Sequence, residues 1–446
     1  MIINTDIPRL LKPPPTLDTK WREQIIDLFG VAFGKHFERV WELQLDLLEV
    51  VSKVEAEITS LRSDSKDQRS QIPHLLAQGD MLAVRANQSK AMALSQQADE
   101  RRYLRACLLM IGDHIAARLL DPDTIRRFSN FQSAGFLGGK DGLKAEIRAA
   151  ESFIAQGYMV LFNDLTHSLR VGDLTLKKGA EIRTFEVKSN PAEYHSKEAV
   201  RQTEIPRTIH DYIKTDVMVQ PHRFAGVPGV VQGAVRLDSD ITEDWQWDIA
   251  GQIHKGIHKS GVTHVVRGKK HYLAARRREV EELASMLETL TSEGEWVVSS
   301  IQRRVEDHAE VSPFTQWFKL ESAVEIMAGD LIVLSAFKMA DLASLFAAKG
   351  HRLTWKRKMI DLFPIGLEGV GDAWFKADER PNVGDHHRLK LMYAFLAIES
   401  YVDIVTFLVS PEASAQMTEK LSRSSLGTAG SSLALDEPLK ESGTIQ

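Results

Sequence analysis

The chain has 446 residues, 61 acidic and 56 basic side chains, and a net charge of −5. Its length allows two or three domains of roughly 100–200 residues each, and its ordinary apolar content suits a globular protein that needs no disulfide or structural metal to bury a core. One cysteine, Cys107, excludes an internal disulfide framework and fits a reducing cytoplasm; the charge balance excludes a uniformly basic coat and leaves any nucleic-acid contact to local basic stripes.

In chain order, the opening residues lack a cationic start followed by an apolar run, so no secretory signal is expected. Pro13, Pro14 and Pro15 mark an extended lead-in. From Trp21 to about Leu120 the sequence reads as long helices. Val40, Leu43, Leu47, Val50, Val54 and Ile58 recur at steps of three and four, the spacing of one helical face. The polar run Ser63 to Ser70 reads as a break before a second long segment, Leu75 to Leu120. These features predict an antiparallel helical hairpin or bundle. Gln and Ser on the apolar face argue against a long coiled coil, and the stripe itself suggests a homodimer through the N-terminal helices. Asp121 to Gly142 is loop-rich. Its run Gly135 to Asp141 fails as a phosphate loop, because Ala134 stands where the first glycine belongs and Asp141 where Ser or Thr belongs.

From Gly142 the pattern becomes helix, strand, strand, strand, helix. On Leu143 to Gln156 the inward stripe is Leu143, Ile147, Ala150, Phe153 and Ile154, with Glu146 at its edge and Glu151 turned to solvent. In the strand Ile182 to Lys188, alternation sends Phe185 and Val187 to one face and Thr184, Glu186 and Lys188 to the other. The preceding strand, Ser168 to Leu176, carries Asp173, and Lys177, Lys178 and Gly179 supply a turn. The hairpin therefore brings Asp173 beside Glu186. Two carboxylates can hold Mg²⁺ and leave room for a phosphate oxygen, and an ammonium at Lys188 can stabilise a transition state.

The run Gly142-Leu-Lys-Ala-Glu146, Ala149-Ala150, Phe153-Ile154, Gly157 to Leu161, Gly172-Asp173 and Phe185-Glu186-Val-Lys188 resembles the restriction-endonuclease-like superfamily, whose signature is PD-(D/E)xK. The resemblance spans residues of about 141 to 213 and departs at Gly172, where the signature has proline. It implies an α/β fold with a mixed sheet flanked by helices. It also implies catalytic residues Asp173, Glu186, Lys188 and Glu146, and metal contacts at Asp173, Glu186 and Val187. Asp164 is an alternative first ligand. After Ser196, which can cap a helix, Arg201 and Gln202 are candidate nucleic-acid contacts.

Two basic clusters follow: Arg267, Lys269, Lys270, His271, Tyr272 and Arg276 to Arg278, then Arg352, Trp355 and Lys356 to Lys358. Lys269, Lys270, Arg276 and Arg277 are the candidate phosphate contacts of the first. His254, His258, His264 and His271 lack the cysteines or H-E-x-x-H pattern of a zinc site, and Gly256 and Gly261 argue against a rigid helix there. Helix-rich sequence is expected through Ala274 to Glu293. The apolar run Tyr393 to Val409 contains Glu399 and Asp403, which suits a buried helix and not a membrane span. The expected organisation is a helical region 1–140, a nuclease-like domain 141–265, a mixed α+β region 266–411 and a disordered tail 412–446. The expected activity is Mg²⁺-dependent hydrolysis of nucleic acid, DNA in preference to RNA, with Mn²⁺ able to substitute and a separate activating protein conceivable. The alternative is an inactive nuclease fold kept as a nucleic-acid or protein-binding module.

Overall fold

The computed structural model describes residues 17–34, 39–121, 142–187, 244–301 and 314–355, short pieces at 14–15, 124–125, 217–219, 231–233, 365–368 and 402–403, and positions 11, 128, 137 and 399. The chain divides into two compact units: Pro13–Gln202 with Gln302–Asp330, and Met1–Lys12 with Thr203–Ile301 and Leu331–Gln446. The observed division does not fall at 140/141 or 265/266. The N-terminal helices share a unit with the first sheet, because side chains of those helices bond directly to its backbone.

The first unit is built on α1 (Thr19–Phe33), α2 (Val40–Ala77) and α3 (Met81–Leu119). The expected break at 63–70 does not form; α2 runs through it and through Pro73, and the turn lies at Gln78, Gly79 and Asp80, with Gly79 at φ +73°. Asp80 caps α3, its Oδ1 accepting the Ala83 N–H at 2.9 Å. The two helices form an antiparallel pair with a strict alternation of four and three. On α2 the seam is Val40, Gln44, Leu47, Val51, Val54, Ile58, Leu61, Ser65, Gln68, Ile72 and Leu75, all buried or half-buried. On α3 it is Val84, Asn87, Ala91, Leu94, Ala98, Arg101, Arg105, Leu108, Gly112, Ile115 and Leu119. This is the 3.5-residue repeat of a coiled coil, contrary to the sequence expectation. The polar seam residues hide the pattern, yet they are satisfied in place: Ser65 Oγ donates to Ala91 O at 2.9 Å and Arg105 Nε to Glu55 Oε1 at 2.6 Å. The apolar stripe that suggested self-association is therefore buried largely against the chain's own α3.

Near the base of the pair, α3 is buried on nearly every side from Tyr103 to Ala116. His114 stacks on Phe33 at 4.2 Å and 14° and meets Phe29 edge-on at 5.4 Å. Arg118 closes the end of α1 by donating to Ala32 O and Gly34 O.

After α4 (Leu143–Ala155), β1 (Met159–Phe162), β2 (Leu174–Lys178) and β3 (Glu181–Phe185) form an antiparallel sheet in the order β1-β2-β3. The turn from β2 to β3 uses Gly179 at φ +60°. The outer edge of β1 is paired by a side chain. Gln44 Nε2 donates to Val160 O and the Phe162 N–H donates to Gln44 Oε1, both at 2.9 Å, so one amide satisfies backbone groups that a neighbouring strand would otherwise bond. Later in the chain this unit adds α7 (Leu320–Met327), which is tied to α3 by Tyr103 Oη donating to Met327 O at 2.6 Å.

The second unit holds a four-stranded antiparallel sheet in the order β6-β7-β9-β8: β6 (Val262–Arg267), β7 (Lys270–Arg276), β9 (Leu331–Lys338) and β8 (Trp296–Ser300). One face, with Val262, Leu273, Ala275, Val298, Ile332, Leu334 and Ala336, packs on Leu283 and Leu287 of α6 (Val280–Thr291). The stretch expected to be helical from Ala274 is β7 as far as Arg276 and α6 only from Val280. α5 (Asp244–Ser260) runs unbroken through Gly256, where a Cβ would lie 2.2 Å from Thr263 Oγ1. α8 (Met339–Ala348) and the pairs β4 (Val217–Val219) with β5 (Val231–Gly233) and β10 (Arg352–Trp355) with β11 (Ile365–Glu368) complete the described elements. Every strand pairing among the described residues is antiparallel, so the expected mixed sheet is not what these strands form. The chain is mixed α and β, and no helix among the described residues is long and apolar enough to cross a membrane.

Burial and the neighbouring Arg118 push the His114 imidazole down from 6.5 to about 3. A depressed folded value means the unfolded chain binds the proton first. The contribution is therefore full above pH 6.5 and is lost as pH falls towards 3, by at most about 1.4 kcal/mol per pH unit. His114→Phe keeps an aromatic ring in the stack and cannot titrate. Between pH 6.5 and 4 its melting temperature should fall less steeply than that of the wild type; parallel profiles would reject this role for His114.

Candidate metal centre

Three elements of the first unit deliver carboxylates to one place. Glu146, in the first turn of α4, is 3% exposed. Asp164 sits in the single 3-10 turn Asn163–Leu165 that follows β1 and is 6% exposed. Asp173 precedes β2 and is half-buried. One carboxylate oxygen from each lies within 4.8 Å of the other two. Glu146 is thus no surface residue on the rim of its helix but one of the two buried side chains of α4, with Ala150. Asp164, weighed against Asp173 as a ligand, stands beside it. Strand alternation misses this pairing because Asp164 lies in a helical turn, outside the period of two.

The turn that carries Asp164 is held from α3. A Cβ on Gly112 would lie 1.9 Å from Leu165 O, so only glycine lets the helix lie this close. The next residue, Asp113, is 1% exposed. Its Oδ1 accepts the backbone N–H of His167 and of Ser168, both at 2.9 Å, and the Ser168 hydroxyl at 2.6 Å. Its Oδ2 lies 2.8 Å from His167 Nδ1. A buried carboxylate needs such a set of donors, and the donors all belong to one short loop.

Asn163 does the same for Asp173. Its Nδ2 donates to Val171 O at 2.6 Å and Gly172 O at 3.1 Å. Its backbone N–H donates to Asp173 O at 2.9 Å, and its Oδ1 accepts the Thr175 hydroxyl at 2.7 Å. Gly172, which stands where the signature has proline, adopts φ +69°, and a Cβ there would meet Phe185 O at 2.7 Å. A proline has neither that φ nor that space. The sequence gives no role to Asp113 or Asn163; the one visible signal is the polar pair Asp113-His114 within the apolar stretch Leu108 to Ala116.

The register Leu174↔Phe185, continued by one step, sets Asp173 across from Glu186. Two bonds keep the strands together there, one between main chains and one to a side chain: the Asp173 N–H donates to Phe185 O and the Val187 N–H to Asp173 Oδ2, both at 2.7 Å. Glu186 is half-buried beside the group but is not one of the three mutually close carboxylates. Val187, read as a metal-contacting position, anchors Asp173 through its N–H. Lys188, Arg201 and Gln202 lie outside the described residues. So do Lys356 to Lys358, Tyr393 to Ile398 and the tail 412–446.

Of the first basic cluster, Lys270 is fully buried, on the inward parity of β7 with Tyr272 and Ala274, and offers no surface charge to a phosphate. Lys269 pairs with Asp341 at 3.3 Å, Arg276 is half-buried and Arg277 is exposed. No protein-family model, curated protein or solved structure matches the chain.

Gly112→Ala should be strongly destabilising, since the overlap is with backbone, and overpacking in a fixed core costs about 1–3 kcal/mol or more. A melting temperature within a degree of the wild type would show that α3 does not hold the Asp164 turn.

Proposed function

We propose that the chain is a metal-dependent nuclease that hydrolyses phosphodiester bonds, DNA in preference to RNA, with its cation held by Glu146, Asp164 and Asp173. The observation that carries this reading is the convergence of three carboxylates from three separate elements, two of them buried. Three carboxylate oxygens within 4.8 Å of one another can serve a single cation together. An all-oxygen donor set suits a hard ion, Mg²⁺ with Mn²⁺ as substitute. The resemblance to the restriction-endonuclease-like superfamily adds the order of elements and the E-x-K pair. In this reading Glu186 lies next to the ion, and the Lys188 ammonium neutralises charge that develops on the scissile phosphate. Bound there, a divalent ion stabilises a phosphoryl group's charge and acidifies water. Asp113 and Asn163 position the ligands and touch neither ion nor substrate. A second copy of the chain, serving the opposite strand of a duplex, would meet the first through surfaces other than the α2–α3 seam.

The test is purified protein incubated with plasmid, linear DNA and RNA in Mg²⁺, Mn²⁺, Ca²⁺ or EDTA. Cleavage is expected in Mg²⁺ and Mn²⁺ and should vanish in Asp164→Ala, Asp173→Ala and Glu186→Ala. Lys188→Ala should bind DNA in Ca²⁺ like the wild type and cut about 10²–10³ times more slowly. In melting experiments Mn²⁺ at 100 times its Kd should stabilise the wild type by about 2.7 kcal/mol and leave Glu146→Gln far less affected. Wild-type protein that binds nucleic acid in every condition but never cuts it would leave a binding module in place of an enzyme.

A further inference from the structure

In the second unit, two histidines meet across a pair of neighbouring strands. We propose that His264 on β6 and His271 on β7 form a cis-bidentate site for a divalent first-row transition ion of tetragonal preference, Cu²⁺ or Ni²⁺. The register places His264 opposite Leu273 and His271 opposite Val266, so the two imidazoles are diagonal neighbours on one face of the β6–β7 pair. His264 Nε2 lies 3.0 Å from His271 Nδ1, and the rings are nearly parallel at 23°.

The donor type and placement favour the ion. Affinity for nitrogen donors peaks at Cu²⁺, with Ni²⁺ before it in the order. Diagonal neighbours on one face of a strand pair reach a single ion from adjacent positions, the cis arrangement that square-planar and octahedral coordination offer. In the metal-free protein one imidazole N–H donates to the other ring's nitrogen; on binding, that proton moves to the remaining nitrogen of its own ring, which frees both facing lone pairs, and the rings rotate about their Cβ–Cγ bonds to direct them at the ion.

The surroundings favour this binding. Both strands belong to a four-stranded sheet whose register is fixed by continuous pairing, so the Cα positions of the ligands are set in advance. Trp296 lies edge-on to His271 at 5.3 Å and limits its ring. His264 is exposed, so water can fill the remaining positions. The Asp341 carboxylate is the nearby anionic group; its partner Lys269 lies 3.3 Å from it.

The chain has 15 histidines, so the test must compare variants of the full-length protein. The competing pair is His254 and His258 on α5, whose rings lie 4.3 Å apart. Cu²⁺ is titrated into the wild type, His264→Ala, His271→Ala, His264→Gln and the double variant His254→Ala/His258→Ala, with binding read by calorimetry and the nitrogen ligands by pulsed electron paramagnetic resonance. The wild type should bind one Cu²⁺ in a tetragonal site with two imidazoles. Loss of either His264 or His271 should weaken binding by at least about tenfold, since even removal of an outer partner of a ligand costs 10–100-fold. The His254/His258 variant should bind as the wild type does. An unchanged Kd in the His264 and His271 variants, or loss of the signal in the His254/His258 variant, would overturn the assignment. Should the alanine or glutamine variants fail to fold, the spectrum of the His254/His258 variant decides alone: two coupled imidazoles support the site, and one or none rejects it.

Discussion

The Asp113 carboxylate on α3 is the fixed point around which the candidate metal centre is arranged. It is 1% exposed, deep within a helix that is itself buried, and a charge in such a place is tolerated only when donors surround it. Two backbone N–H groups, one hydroxyl and one imidazole do so, all from His167 and Ser168. Because the donors are backbone as well as side chain, the bond fixes the path of the loop and not merely a rotamer. The loop is the continuation of the turn that carries Asp164. Gly112, one residue earlier, removes the only atom that would keep the helix from reaching Leu165. A helix and a turn about 50 residues apart in sequence are thereby locked at van der Waals distance.

The coiled-coil pairing of α2 and α3 is what makes α3 rigid enough for this. Leu108, Ile115 and Leu119 are seam positions, and Gly112 and Asp113 between them meet the loop, so the residues that hold the hairpin together alternate along the helix with those that grip the loop. On α2, Gln44 is also a seam position, and its amide satisfies the edge of β1. The three-stranded sheet is thus gripped at β1 by α2 and at the 163–168 loop by α3. Asp173 follows from the sheet itself, through the Asn163 contacts and the Val187 N–H.

Much of this was legible in the residues, and the parts that were not have definite causes. The helix–strand–strand–strand order, the placement of Glu146 and Asp173 and the Gly179 turn follow from periodicity and turn chemistry, which are local. The coiled coil did not, because a seam containing Gln44, Ser65, Gln68 and Asn87 is polar where a heptad test looks for leucine; Ser65 and Asn87 find their partners across the folded hairpin, and Gln44 finds its own on β1. Asp164 was readable as a possible ligand but not as a partner of Asp173, since a period of two says nothing about a 3-10 turn. Lys270 reads as surface charge in a basic run. Both faces of β7 are covered, so the Lys270 side chain is buried on the face opposite Leu273 and Ala275. Asp113 could not be assigned at all, because its donors lie far along the chain.

The two proposed metal sites differ in the ions they would favour. Carboxylates bind through charge and make few demands on angle, so the trio of Glu146, Asp164 and Asp173 favours small, hard, strongly hydrated ions. Neutral imidazoles offer no net charge and bind through directed lone pairs, so the His264–His271 pair discriminates by geometry and by the ion's affinity for nitrogen. Mg²⁺ gains almost nothing from two nitrogens. Cu²⁺ gains from either set, since affinity for N and O donors alike peaks there. The separation therefore runs one way: the histidine pair is invisible to the ion proposed for catalysis, whereas an excess of Cu²⁺ would reach the carboxylates as well. Occupancy of the imidazole pair is best defined at copper concentrations that saturate two nitrogens before three oxygens.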